Sequence, residues 1–373
     1  MRVALKAFVR ERIAPIAPQA DREGAVPLEL CREFWRSGWV ERFLPPQDPG
    51  PAPYLVSGCI LAEELAYGCA GIASVLALPI LLNRLVLQYL DGPLRDEFRD
   101  RLLQDPFTTA FAASEQAAGS DLLSLTATAT RRGSGYVLNG EKAFSSNLRQ
   151  AAYVIVVART GPGRERWIGG FSWFLVPTDA PGVRVGRRWN TLGLRAMDLS
   201  SLELHDVEIQ EGYRLGPEGS GLPMMAEHLP QSRTGIAATG VGIARRARDE
   251  VIRYGGQRRI GRKRLTHFQD YRFRISDMEA DITAARALVW LSAAKYDSAR
   301  RHTREASLAK LVAGRTAMLV ALRASIMLGS VGYTDEASVE KLLRDARHVG
   351  IVEGPDPVQQ ELLYVDVLRH GAD

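Results

Sequence analysis

The sequence predicts a mostly helical α+β chain in three parts. These are an N-terminal helical domain (1–107), a middle β-barrel or β-sandwich domain (108–219) and a C-terminal helical bundle (220–373). Three observations carry this reading. The texture of the chain changes near Asp105-Pro106 and again between Gly216 and Gly221. Between those points apolar and polar residues alternate with a period of two, as in half-buried strands. On either side apolar residues recur at spacings of three and four, the period of a helix face. At about 150 residues per domain, a chain of 373 residues holds two or three domains and can enclose a ligand.

In the first segment, MRVALKAFVRERIAPIAPQADRE interrupts its apolar residues with Lys6, Arg10, Glu11 and Arg12. This leaves no hydrophobic region for a signal peptide, and export by that route is not expected. Punctuation from Pro45 to Pro53 separates its helices. Ile60, Leu61, Glu63, Glu64 and Leu65 predict a helix with apolar residues on one side and acids on the other. The stretch from Cys69 to Leu82 contains Pro79 and stops at Asn83-Arg84, short of the ~20 residues of a membrane span, so it reads as a buried helix.

In the middle segment the expected strands are Leu123–Thr130, Gly135–Leu138, Tyr153–Val157, Phe171–Val176, Val183–Val185 and Leu202–Leu204. A Tyr-Val-Leu-Asn-Gly hairpin ends at Gly140. In the third segment Phe268, Tyr271, Ile275, Met278, Ile282 and Ala285 mark a helix–helix packing seam.

Composition excludes several classes. The chain has 48 basic and 43 acidic residues (net +5), with 46% hydrophobic and 24% charged, which is an ordinary folded composition rather than a disordered one. Cys31, Cys59 and Cys69 are odd in number and lack a CxxC spacing, which argues for a reducing cytoplasm and against disulfides or a zinc site. The six histidines share no metal-ligand spacing, so no metal is expected, and no P-loop, HExxH or Gly-x-Ser-x-Gly is present. Gly240-Val-Gly242-Ile-Ala-Arg245 begins like a dinucleotide fingerprint, but Arg holds the third position and no strand precedes it, so these small residues predict close approach of two helices. The basic run Gln257–Arg264 reads as a solvated turn or a surface for phosphates or an acidic protein. No nucleic acid is expected as a partner.

Two segments carry chemistry: Phe111-Ala-Ala-Ser-Glu-Gln-Ala-Ala-Gly-Ser-Asp121 and Gly140-Glu-Lys-Ala-Phe-Ser-Ser-Asn147. Small and hydroxyl residues with free backbone N–H groups suit a flat heterocycle that hydrogen-bonds at its rim, and Phe144 can pack on its face. Together with four further segments in order, these resemble the acyl-CoA dehydrogenase family. The family's T-E-P-x-A-G-S-D corresponds to Ser114–Asp121 and its G-x-K-x-W-I-T-N to Gly140–Asn147. M-G-x-R-x-S is similar to Leu192–Met197, and R-x-x-x-A-A-x-x-V-G-x-A to Arg233–Ala244. R-x-x-F-G-K-P-L-x-x-F-Q corresponds to Arg258–Gln269, and V-E-K-L-x-R-D-A-K-x-x-x-I-x-E-G to Val339–Gly354.

The resemblance implies FAD-dependent α,β-dehydrogenation of an acyl thioester carried by coenzyme A or an acyl carrier protein, as in a specialised secondary metabolic pathway, with electrons passing to an electron-transfer flavoprotein or oxygen. Glu353 occupies the position of the α-proton-abstracting base. Phe111, Ala113, Ser114, Gly119, Ser120, Phe144 and Ser146 would line the flavin. Arg258 and Gln269 would reach the FAD of a neighbouring subunit, which implies a homodimer or homotetramer, and Phe268 and Gly329 would also bind the cofactor. Ser120, Arg233 and Gly354 would contact substrate.

Departures cluster around the cofactor. The family's Q-x-L-G-G-x-G reads Ile326-Met-Leu-Gly-Ser-Val-Gly332, T-S-Q after the base is Pro355-Asp-Pro357, and Gly261, Phe144 and Gln116 replace Phe, Trp and Pro. Two alternatives follow: a flavin monooxygenase on the same fold, which the presence of Glu353 opposes, and a half-site subunit completed by another chain, which Ile326 and Ser330 motivate.

Overall fold

The computed structural model describes residues 1–45, 53–104, 108–161 and 170–370. The expected boundary at Asp105-Pro106, the 107/108 limit beside it and most of the Pro45 to Pro53 punctuation lie outside the described residues. Five helices come first: α1 (Arg2–Phe8), α2 (Ala17–Glu23), α3 (Leu28–Trp35), α4 (Leu55–Tyr89) and α5 (Gly92–Gln104). The strands are β1 (Thr108–Ala112), β2 (Thr128–Arg132), β3 (Gly135–Ser146), β4 (Ala151–Arg159), β5 (Phe171–Pro177), β6 (Val183–Arg188), β7 (Leu199–Gln210) and β8 (Arg214–Leu215). The second helical part holds α6 (Gly221–Gln257), a ribbon of β9 (Arg259–Ile260) and β10 (Lys263–Arg264), then α7 (Gln269–Asp297), α8 (Thr303–Leu328), α9 (Val339–Val349) and α10 (Asp356–His370). Helical, β, helical is the order that the periodicities predict.

Helix α4 is apolar nearly all round because other elements surround it. By length and composition α4 and the segment beginning with α8 are each long and apolar enough to cross a membrane, but 67% of the most apolar window of α4 is buried inside the protein. Asn83 and Arg84, where the apolar run stops, do not end the helix, and both are buried. The backbone leaves helical geometry once, at Cys69, where φ is −165° and ψ 117°.

Glu63 and Glu64 correct the amphipathic reading, because both are buried rather than on a solvent face. Arg245 on α6 donates to Glu63 at 2.7 Å and to Glu64 at 3.0 Å, Arg286 on α7 donates to Glu63 at 2.9 Å, and Arg2 on α1 donates to Glu64 at 2.9 Å. A buried carboxylate without such partners costs several kcal/mol, so these arginines both permit the burial and tie α1, α4, α6 and α7 together. The same seam needs small residues. A Cβ on Gly242 would come within 2.4 Å of the Glu63 carbonyl oxygen on α4, and one on Gly240, which faces α8 instead, within 3.1 Å of the Ala313 carbonyl oxygen, so the Gly-x-Gly serves helix packing as expected.

The strands form one sheet in the order β6-β7-β3-β2-β4-β5-β8, with β1 added in parallel to β4. Period-two alternation divides β4 and β5 between two cores. Val154, Val156, Phe174 and Val176 face a core enclosed by the sheet, while Ile155, Val157, Phe171, Trp173 and Leu175 belong to the core shared with the helices.

Four local readings need correction. Leu123–Thr130 is not one strand: Asp121 caps a 3-10 turn at Leu122–Ser124, accepting from the Leu123 N–H at 3.1 Å, and β2 starts only at Thr128. Asn139-Gly140 is not a hairpin turn, because β3 runs through it with a register shift at Gly140 (φ +134°). The segment at Phe111 does not merely precede the sheet, since β1 pairs with β4. Phe268 stands at the N-cap of α7, before its packing seam.

Gly242→Val is expected to lower stability by about 1–3 kcal/mol, because the new side chain must displace backbone rather than a flexible side-chain end. Urea denaturation measures this. Gly256→Ala serves as the control on the same helix, since a Cβ there meets nothing within 4 Å.

Candidate active site

A buried ion pair joins the two chemistry-bearing segments of the middle part. Lys142 on β3 is fully enclosed and donates to Glu115 at 2.9 Å and to the Ala113 carbonyl at 3.0 Å. The Glu115 carboxylate also accepts from the N–H groups of Thr126 (2.7 Å) and Ala127 (2.9 Å). Burial pushes this carboxyl up, but hydrogen bonds from Ala127, Lys142 and Thr126 outweigh it and hold it below the usual range. The loop after β1 is thereby fixed against β3, and the Ala143 N–H, one residue before Phe144, donates to the Ser114 carbonyl at 2.8 Å.

The backbone around Ser146 is strained. Phe144 and Asn147 both have φ of +58°, a left-handed conformation that is uncommon for an aromatic residue. A bulge lies between Lys142 and Ser145, and the Phe144 ring is exposed and packs at 4.8 Å from Trp189. The indole N–H of Trp189 is buried without a partner among the described residues.

Glu353 lies between α9 and α10, also left-handed, with φ +57°, and is followed by Gly354 at φ +89°. The carbonyl of Glu353 accepts from Arg233 Nε at 3.0 Å and Gln359 Nε2 at 3.1 Å. The carbonyl of Gly354 accepts from Lys310 Nζ at 2.7 Å and Gln359 Nε2 at 2.8 Å. These groups hold the backbone of the turn and leave the carboxyl to point elsewhere. Burial raises the carboxyl above its ordinary value, against a hydrogen bond from Ser232 and the charges of Arg233 and Lys310.

The carboxyl of Glu353 and Ser146 line one cavity of about 1000 Å³, counted out to its solvent-open mouth. Its walls come chiefly from α4 (Leu55 through Arg84) and α6 (Gln231 through Thr239), with Phe43, Tyr54, Met197, His348 and Val352 also contributing. Most of these residues are apolar, so a charge placed here is poorly solvated.

The remaining expected residues divide into two sets. Phe111 on β1 is half-buried with its ring edge toward Trp173 at 5.3 Å. Arg233 is buried beside the Glu353 turn but does not line the cavity. Arg258, Phe268, Gln269 and Gly329 are exposed and also lie outside the cavity lining, so a single chain does not bring them to it.

Models of the acyl-CoA dehydrogenase N-terminal, middle and C-terminal domains match residues 1–104, 110–207 and 219–368. The chain belongs to the acyl-CoA dehydrogenase family. It is similar to cyclohexane-1-carbonyl-CoA dehydrogenase of Geobacter metallireducens, with 32% identity over 99% of this chain and 96% of that protein. It is also similar to the mitochondrial short-chain specific acyl-CoA dehydrogenase of Rattus norvegicus (31%, covering 99% and 89%). Among solved structures, butyryl-CoA dehydrogenase of Megasphaera elsdenii superposes with a TM-score of 0.91 at 30% identity, covering 99% of this chain and 97% of that one.

Members of the acyl-CoA dehydrogenase family are flavoproteins that oxidise CH–CH groups, and this chain is an oxidoreductase of that type. The donor set suits a flavin. The hydroxyls of Ser114, Ser120 and Ser146 make no hydrogen bond within the described residues, the Trp189 N–H is unpartnered, and Phe111 and Phe144 offer apolar faces.

Sequence reasoning missed Ser232, Lys310, Gln359 and His348. Lys310 sits in an Ala-rich helical stretch where a lysine reads as a solvated residue, yet it is fully buried. Nothing local signals that its partner is a carbonyl in another loop. Burial lowers His348 to about 4, with Asp345 opposing and Lys310 adding to the shift. Burial likewise lowers His228 to about 4, reinforced by Arg84.

Both imidazoles are neutral in the fold and protonate more readily when unfolded, so their stabilisation is complete above the unfolded value near 6.5. It is lost as pH falls from there toward about 4, by on the order of 3 kcal/mol per histidine at most. Urea midpoints measured between pH 7 and 5 should fall for the native protein and fall less for His348→Gln.

Proposed function

We propose that the chain catalyses FAD-dependent α,β-dehydrogenation of an acyl thioester, with Glu353 as the base that removes the α-proton. The observation that carries this is a desolvated carboxyl on a fixed turn, facing the same apolar cavity as the flavin-type segment at Ser146. Ser114, Gly119, Ser120, Phe144 and Ser146 would hold FAD, which would supply the acceptor for the β-hydrogen as hydride.

The chain's own residues supply position and basicity. An α-C–H beside a thioester is a weak acid, so the base must be close, poorly solvated and immobile. Arg233, Lys310 and Gln359 immobilise the turn by its carbonyls, while Ser232 and the nearby positive charges oppose the rise that burial gives the carboxyl. In this arrangement Arg233 acts as a positioning residue for the base rather than as a contact to the acyl group. The apolar walls keep water from competing for the proton.

The thioester carrier is coenzyme A or an acyl carrier protein, and the electron acceptor an electron-transfer flavoprotein or oxygen. Exposure of Arg258, Phe268, Gln269 and Gly329 away from the cavity supports a homo-oligomer in which they serve the flavin of a neighbouring copy.

Glu353→Gln should retain FAD but slow flavin bleaching by a thioester about 10²–10⁴-fold, the usual contribution of a positioned base. Stopped-flow absorbance reads it, and bleaching at the native rate removes Glu353 from the mechanism. Because the base works only when ionised, the native bleaching rate should rise with pH through a value above the ordinary carboxylate one. Arg258→Ala should weaken both flavin retention and self-association, read by flavin content after gel filtration and by sedimentation. Unchanged values would reject a cross-subunit role.

A further inference from the structure

The cavity holds a second charged side chain that dehydrogenation does not use. Among the described residues its lining contains one carboxylate, Glu353, and one guanidinium, Arg84. Arg84 is 8% exposed, and no carboxylate of the described residues lies within ion-pair distance of it. One of its nitrogens donates to the Phe43 carbonyl at 2.9 Å, and the guanidinium carbon stands 4.0 Å from the centre of the Tyr54 ring.

The Tyr296 hydroxyl, neutral and packed beside Tyr54, also faces the guanidinium, and the other surrounding polar groups are engaged elsewhere. Tyr54 donates its hydroxyl to Gln231, and the Gln231 amide meets His228 Nδ1 at 3.2 Å. The carboxylate of Asp297 caps α4, accepting from the backbone N–H groups of Tyr54 (2.9 Å), Leu55 (2.8 Å) and Val56 (3.0 Å). A guanidinium has five N–H donors and holds its charge at any working pH. Desolvating that charge without a counterion is costly, so a partner brought into the cavity is strongly favoured.

Resting on the thioester reading above, we propose that Arg84 forms an anion subsite in the acyl cavity, and that the acyl group taken by this chain carries a carboxylate at its far end. The guanidinium pairs with that carboxylate while Glu353 faces the thioester end. A bidentate arginine–carboxylate contact also fixes the depth of insertion, and with it the carbon presented to the base. An uncharged acyl chain of equal length leaves the guanidinium unpaired and the end of the cavity poorly filled.

Calorimetric titration of the purified holoenzyme with matched coenzyme A thioesters tests this without relying on turnover. The pairs are succinyl against butyryl, glutaryl against valeryl, and adipyl against hexanoyl. At least one carboxylated member should bind ten-fold or more tightly than its uncharged partner. That ratio should fall below two-fold in Arg84→Met and recover in part in Arg84→Lys. Tighter or equal binding of every uncharged member overturns the subsite, and the native comparison stands even if the methionine variant does not fold. A native ratio that survives in folded Arg84→Met also overturns it.

Two further outcomes separate this proposal from the reading beneath it. Selective binding of a carboxylated thioester without flavin bleaching supports the subsite and refutes dehydrogenation. Absence of binding by all six thioesters refutes both.

Discussion

The seam between α4 and α6 is the constraint on which the rest of the molecule depends. At one end Gly242 lets the Glu63 carbonyl approach to where a side chain would stand, and the buried Glu63 carboxylate receives Arg245 and Arg286. Here the helices touch backbone to backbone. Toward residues 231–239 of α6 the facing side chains no longer close the space, and the cavity occupies it. The site is therefore not a hollow in a loose core. It is the unclosed continuation of a tightly closed seam, and its width follows from how firmly the closed end is held.

The catalytic turn meets opposite requirements. A base must lie in a dry pocket to be strong, yet the same dryness disfavours its ionised form. Glu353 balances these through distance: Arg233 and Lys310 bond to the carbonyls of the turn rather than to the carboxylate, and their positive charge acts on it without quenching it in an ion pair. Left-handed backbone at Glu353 costs of order 1–3 kcal/mol, which four hydrogen bonds to the Glu353 and Gly354 carbonyls, two of them from Gln359, offset.

Legibility from sequence followed the range of the interactions. Alternation in Phe171–Val176 and three-four spacing from Tyr271 to Ala285 report local geometry, and both correspond to the observed elements. Asn139-Gly140 has the composition of a turn but lies mid-strand, because glycine's conformational freedom serves a bulge as well as a hairpin. Glu63, Glu64, Arg84 and Lys310 were illegible or misread for a common reason. Charged residues signal solvent unless their partners are known, and here the partners lie far along the chain, as the Phe43 carbonyl and the Tyr54 ring do for Arg84. The segments around Ser114, Ser146 and Glu353 were legible as motifs, but their junction through Lys142 and Glu115 was not.

Strands β4 and β5 present one face to the sheet's own core and the other to the helices. The three sequence segments are thus not three units of cooperativity. Melting the sheet strips the helical bundle of Trp173, Phe171 and Ile155, while melting the bundle exposes the outer face of the central strands to water. Amide protons at the centre of β4 and of α6 consequently share one opening event, and a proteolytic fragment cut at either boundary inherits half of a core rather than a whole one.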